Sequence, residues 1–375
     1  MINKERMLAE FFELVKIKCS TRAERQVADV LKERLLALGL EVSEDDAGEK
    51  IGGNCGNLIA YIEGTVQGAP GLMLSAHMDC VEPCGGVEPE LKDGIITSIG
   101  DTILGADDKA GIAAILEALR IVLETEIPHG PLQIIFTVAE EGGLNGAKYM
   151  DPSLLKADFG YAFDSDGAPG EIINMAPGQN NITAVVHGKK AHAGIAPEDG
   201  INAIVLAGTA LAEMKYGRID SETTSNIGII SGGVATNIVP DRVEVKCEAR
   251  SRNMEKLEVQ TQHMKETFER VVALHGGRAE VTVKKSYSPY VLTEDAPVVT
   301  LAVNASNSIG LIPVIKATGG GSDANFFNNY GVPTAVLGVG MKKVHTADEY
   351  IKEIDLYNSA ELVIALIKTA GTMKK

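Results

Sequence analysis

Up to about residue 175 the chain alternates helical stretches with short apolar runs, and that alternation restricts its fold more than any other feature. "ERQVADVLKERLLALG" and "KAGIAAILEALRIVLE" repeat apolar residues at helical spacing, whereas "NLIAYIEG", "GLMLSAHMD" and "LQIIFTVAEE" are brief and largely apolar. The pattern predicts an α/β layer, a mixed and largely parallel sheet flanked by helices. Functional groups on such a sheet gather at the carboxyl ends of the strands.

Near residue 180 the pattern changes to the period-two run "NITAVVHGKKAHAG". A helix over "INAIVLAGTALAEM", strands in "TSNIGIISGG" and "DRVEVKCEARS", the helix "KLEVQTQHMKETFERVVALHG" and the strand "AEVTVKKSY" follow. The order βαββαβ predicts a ferredoxin-like, two-layer domain with helices on one face of an antiparallel sheet. After "SPY" at 288 to 290 the α/β pattern resumes, so residues 179–290 read as an insert between the two parts of one domain, 1–178 and 291–375. A chain of 375 residues exceeds one comfortable core, which agrees with two domains.

Lys and Arg number 35 against 51 Asp and Glu, a net charge of −16. That balance argues against a nucleic-acid partner, whose phosphates attract clustered cations, and against an anionic membrane surface. The opening "MINKERMLAEFFELVKI" scatters charges among its apolar positions and reads as an amphipathic helix rather than a signal peptide. No run approaches the roughly 18 apolar residues of a membrane span. A cytoplasmic protein is expected. Cys19, Cys55, Cys80, Cys84 and Cys247 are odd in number and scattered, which predicts reduced thiols rather than a disulfide framework.

Acidic and His residues stand where apolar strands stop and helices start. His77 and Asp79 in "LSAHMDCVEP" share a face if the strand continues through them. Asp107 and Asp108 open a helix in "LGADDKAG", where capping accounts for one more comfortably than for both. Glu140 and Glu141 end "IIFTVAEEGG" and leave the backbone on opposite sides. "YAFDSDG" offers Asp164, directly after an apolar strand, and Asp166, which precedes Gly167 as in a turn. His345 lies in "VHTADEY", a late loop ahead of a helix. Together His77, Asp107, Glu141, Asp164 and His345 are a donor set suited to two borderline divalent ions, zinc by preference and cobalt or manganese as alternatives.

In the order "SAHMD", "GADDKAG", "AEEGGLNGAK", "FDSDG", "GKKAHAG" and "VHTADEY", over about residues 75 to 350, the chain resembles the dinuclear zinc exopeptidases related to peptidase T, carboxypeptidase G and aminoacylase, and within them peptidase T. The resemblance implies one metal on His77, Asp107 and Asp164 and a second on Asp107, Glu141 and His345, with Asp107 bridging. It also implies a cis peptide bond after Asp107. Asp79 would hold the far N–H of His77. Glu140 would be the general base, taking a proton from the attacking water and returning it to the leaving amine. His192, in the insert, would assist the developing oxyanion, in its own site or in a partner subunit's. Asn237, Arg250, and Gly320 and Ser322 of the "GGGSDAN" loop would contact the peptide substrate, Arg250 having a structural ion pair as its alternative.

Asp at position 164, where deacylating and carboxypeptidase relatives more often carry Glu, favours an aminopeptidase, and the likeness to peptidase T implies tripeptides with a free amino terminus as its substrates. The rivals are a deacylase of N-acyl amino acids, or a dipeptidase or carboxypeptidase, on the same site. A non-catalytic, peptide-binding dimer stands further off. The insert would act as a lid and, through an unpaired sheet edge, as the surface of a homodimer.

Overall fold

The computed structural model describes residues 2–374 and divides into two compact units. The first takes in the chain up to Met175, Leu292–Ala317 and the chain from Ser322; the second is Ala176–Val291 with Thr318–Gly321.

At the centre of the first unit, Leu72–His77 runs parallel to Leu132–Thr137 on one side and Phe159–Ser165 on the other. Thr334–Gly338 continues the parallel set beside Phe159–Ser165. Leu58–Ile62 and then Glu41–Glu44 join antiparallel beyond Leu132–Thr137, so the sheet is mixed with a parallel middle. All six residues of Leu72–His77 and of Leu132–Thr137 are buried, as expected of strands covered on both faces. The helix Ala106–Glu124 lies against Leu72–His77 and Phe159–Ser165 and packs with Lys4–Val15 and Glu353–Gly371. It is buried nearly all round, which suits a helix enclosed by sheet and helices rather than lying over one face. Ile59, Met73, Ile135, Ala147, Met150 and Phe327 form a second buried layer.

Parallel strands begin and end together, so Leu72–His77, Leu132–Thr137 and Phe159–Ser165 deliver their following residues to one edge. A small sheet in the order Met341–Lys342, Tyr350–Lys352, Ile95–Ser98, Pro89–Lys92 lies outside the sequence expectation. Its strands span two to four residues, too few for alternation to register. It carries the loop containing His345 between its first two strands.

The second unit has the order βαββαβ in Gly178–His187, Ala203–Glu213, Thr223–Gly232, Arg242–Ser251, Met254–Leu274 and Arg278–Tyr287. Its four long strands are antiparallel in the order second, third, first, fourth. Val243, Val245, Cys247 and Ala249 alternate inward and meet Leu257, Met264 and Phe268 from the long helix, so both helices cover one face. All five cysteines are free and buried. No helix among the described residues is long and apolar enough to cross a membrane.

Candidate metal centre

His77 is the last residue of its strand and is buried. Its Nε2 lies 2.9 Å from Asp107 Oδ1 and 3.8 Å from Asp164 Oδ1. On the far side of the ring Nδ1 is 3.0 Å from the Asp79 carbonyl oxygen and 3.4 Å from Asp79 Oδ1. The strand stops two residues before Asp79, yet that residue still reaches under the ring, with its main chain nearer than its carboxylate. Lys109, fully buried, donates to the carbonyl of Met78 at 2.5 Å and fixes the peptide between them.

Asp79 has a further role that sequence spacing does not reveal. Its Oδ1 accepts the N–H of Glu140 at 3.0 Å and its Oδ2 that of Glu141 at 3.2 Å, while Thr21 Oγ1 donates to Oδ2 at 2.7 Å. Burial alone would raise the carboxyl, but contact with His77, helped by Thr21 and the Glu140 N–H, holds it below the usual range. Glu24, buried just after "STR", accepts the N–H of Ala139 at 3.0 Å, where the chain is left-handed (φ 50°) immediately before Glu140.

The helix Ala106–Glu124 begins irregularly, with φ/ψ of −84°/101° at Asp107 and −120°/37° at Asp108. The peptide between these two residues is cis. Their roles separate here. Asp108 is fully buried; its Oδ1 accepts the N–H of Gly111 at 3.2 Å, a capping bond, and its Oδ2 that of His77 at 3.2 Å. Asp107 instead presents Oδ1 to His77 and Oδ2 to His345 Nε2, 3.2 Å away.

His345 Nε2 also lies 2.8 Å from Glu141 Oε1. Among the described residues no hydrogen bond satisfies that buried oxygen, although the imidazole is near. An imidazole nitrogen and a carboxylate oxygen 2.8 Å apart fit two ligands of one ion. Asp164 turns into the cluster from Phe159–Ser165, whereas Asp166 is exposed and offers its carbonyl oxygen to Lys342 Nζ.

Burial, and then the charges of Asp107, Asp108 and Glu141, push Asp164 well above the usual carboxylate range, while His77 opposes the shift. Burial and then Asp164 do the same to Glu140. Burial would raise Asp107 as well, but its bonds to His345 and His77 outweigh that and leave it low. His345, between Asp107 and Glu141, is raised to about 10. Cationic charge beside Asp164 and Glu140 would oppose both upward shifts. Two groups of donor atoms lie within 4.8 Å of one another, His77 with Asp107 and Glu141 and His77 with Asp108 and Asp164. Imidazole and carboxylate donors, an unsatisfied buried oxygen and excess negative charge fit divalent ions. Capping, which accounts for one of this Asp pair, falls to Asp108.

The remaining candidates lie in the second unit, apart from Ser322. His192 pairs with Ile238, and the N–H of Ala193 donates to the Asn237 carbonyl at 3.0 Å, so the fold brings His192 and Asn237 together. The His192 ring is exposed and accepts the N–H of Gly194 at 3.2 Å. Arg250 donates from Nε and Nη2 to the two oxygens of Glu248 at 2.9 and 3.1 Å. Its fork is therefore engaged in the ion pair named as its alternative. The N–H of Gly320 donates to Thr318 Oγ1 at 3.2 Å. Ser322 donates its N–H to Asn325 Oδ1 at 3.0 Å, and its buried hydroxyl has no partner among the described residues.

The model of peptidase family M20/M25/M40 matches residues 73–369. The chain is 45% identical over 371 residues to an uncharacterized protein, YqjE, of Bacillus subtilis strain 168, covering 99% of this chain and 100% of that one. It is 46% identical to the solved structure of the aminopeptidase PepT from Bacillus cereus, with a TM-score of 0.93 and coverage of 98% and 99%. A tripeptidase from Staphylococcus aureus is 43% identical, with a TM-score of 0.96 over 100% of both chains.

Proposed function

The chain belongs to peptidase family M20/M25/M40, and from that premise we propose that it is a dinuclear metallo-aminopeptidase that removes the amino-terminal residue of short peptides, tripeptides foremost. The observation that carries the reading is the carboxylate of Asp107 lying between the imidazoles of His77 and His345, with Asp164 and Glu141 beside them. The similarity to an aminopeptidase and to a tripeptidase over nearly the whole chain supports the direction of cleavage and the substrate length.

In this reading His77, Asp107 and Asp164 hold one ion and Asp107, Glu141 and His345 the other. Asp108 stays outside because both its oxygens already accept backbone N–H groups. Two divalent ions, zinc by preference, would supply Lewis acidity towards the scissile carbonyl and the attacking water. Glu140 takes the proton of that water and returns it to the departing amine. Asp79 orients the ring of His77 and, through the N–H groups of Glu140 and Glu141, fixes the direction of both side chains. His192 stabilises the developing oxyanion, and Asn237, Gly320 and Ser322 contact the peptide main chain. Arg250 keeps a substrate role only if its fork leaves Glu248. The setting is the cytoplasm.

The test is mass spectrometry of the products from Ala-Ala-Ala offered free, N-acetylated and C-amidated, with and without a strong chelator. Chelator-sensitive release of the first residue, only when the amine is free, is expected. Release of acetate from the acetylated peptide alone would make the protein a deacylase instead.

A further inference from the structure

Glu349 stands four residues after His345, is 1% exposed and belongs to neither ligand set above. Its carboxylate reaches across the sequence to the loop that precedes the long buried helix. Oε2 accepts the N–H of Gly105 at 2.7 Å and Oε1 accepts the N–H of Asp107 at 3.0 Å. The chain there is irregular, left-handed at Gly105 (φ 77°) and non-helical at Asp107, so no strand or helix supplies partners for these N–H groups. Buried donors of this kind need an acceptor, and one carboxylate serves both.

The consequence is directional. Two N–H groups on one rigid carboxylate fix both ends of Gly105–Ala106–Asp107 and with them the angle at which the Asp107 side chain leaves the backbone. That side chain has little latitude, since it meets His77 on one oxygen and His345 on the other. The N–H of Glu349 also donates to the Thr346 carbonyl at 3.1 Å, closing the turn that follows His345. One short segment thus carries a proposed ligand and holds the main chain of another.

We propose that Glu349 is a positioning residue for the carboxylate of Asp107 and so sets the affinity of both metal sites together. The inference rests on the dinuclear reading above. A carboxylate that merely stabilised the fold would lower thermal stability without changing metal affinity. One that aims the shared ligand weakens both sites.

The experiment is calorimetric titration of the chelator-stripped full chain with Zn2+, together with the visible spectrum of its Co2+ form and its melting temperature, for wild type, Glu349→Ala, Glu349→Gln and Glu141→Ala. Wild type is expected to take up two ions and Glu141→Ala to lose one site selectively. Glu349→Ala should weaken both sites by about 10- to 100-fold and alter the Co2+ spectrum. Glu349→Gln keeps an acceptor for one N–H but turns its amide N–H group towards the other, so it should fall between; if the Ala variant fails to fold, it decides the question alone. Wild-type affinity at both sites, a lowered melting temperature with unchanged affinity, or a loss confined to one site would each overturn the proposal. Absence of metal uptake by wild type would overturn it along with the dinuclear reading. Uptake of two ions without peptide hydrolysis would sink only the aminopeptidase reading.

Discussion

Glu140 and Glu141 both donate their N–H groups to Asp79, but the Glu141 carboxylate faces His345 whereas the Glu140 side chain is buried near Asp164. Replacing Glu140 with Ala should leave two ions bound, by elemental analysis, and lower kcat by at least about 100- to 10,000-fold. Near-normal turnover would remove Glu140 from the chemistry. Asp79→Ala should weaken metal binding by about 10- to 100-fold in a metal titration; the near-isosteric Asp79→Asn should be milder, and unchanged affinity in both would show that the carboxylate does not tune the site. At this scale the sequence singles out His77, Asp107, Glu140, Glu141 and Asp164 as candidates, because each stands where an apolar run stops or a helix begins, whereas His345 lies in a loop and joins them by its chemistry alone. Glu24 and Glu349 were not legible. Each acts on a backbone N–H more than a hundred positions away, and nothing in local spacing records such a partner.

Helical patterning identified Ala106–Glu124, but propensity misjudges one of its positions. Gly111 looks like a weak residue that Ala would improve by about 1 kcal/mol. In the fold, a Cβ there would lie 2.5 Å from Asp108 Oδ1 and 2.6 Å from the Phe163 carbonyl oxygen. Gly111→Ala should therefore destabilise the protein by about 1–3 kcal/mol in chemical denaturation, since neither neighbour can withdraw without losing its own bonds. A variant as stable as wild type would show that the helix can shift away from the sheet. The six long elements of the insert follow from period-two and helical spacing. The small sheet around His345 does not, because strands of two to four residues are defined by their partners alone.

Across the molecule, the acidic balance and the two folding patterns exclude more than they specify, and association is left to the surface. Thr223–Gly232 pairs with Arg242–Ser251 on one side, while on the other Gly217–Arg218 covers only Thr224 and Ser225. Ile229 and Ile230 on that strand and Val234 beyond it are more than half exposed. We propose a homodimer through this edge, where a second copy would complete the backbone pairing and cover the apolar side chains. Ile230→Lys should shift the mass measured by light scattering from dimer to monomer. A monomeric wild type, or a variant that stays dimeric, would discard this edge as the interface.

The sequence by itself determined the class of fold, the insertion of one domain into another and the donor types at the strand ends, because periodicity and the chemistry of side chains are local properties. Only the tertiary structure decided that Asp108 caps while Asp107 faces two imidazoles, that Asp164 rather than Asp166 joins the cluster, and that Arg250 meets Glu248. Those are choices among near neighbours of equal chemistry. They turn on where a backbone N–H or a counter-charge from a distant segment arrives, and that is fixed when the chain packs.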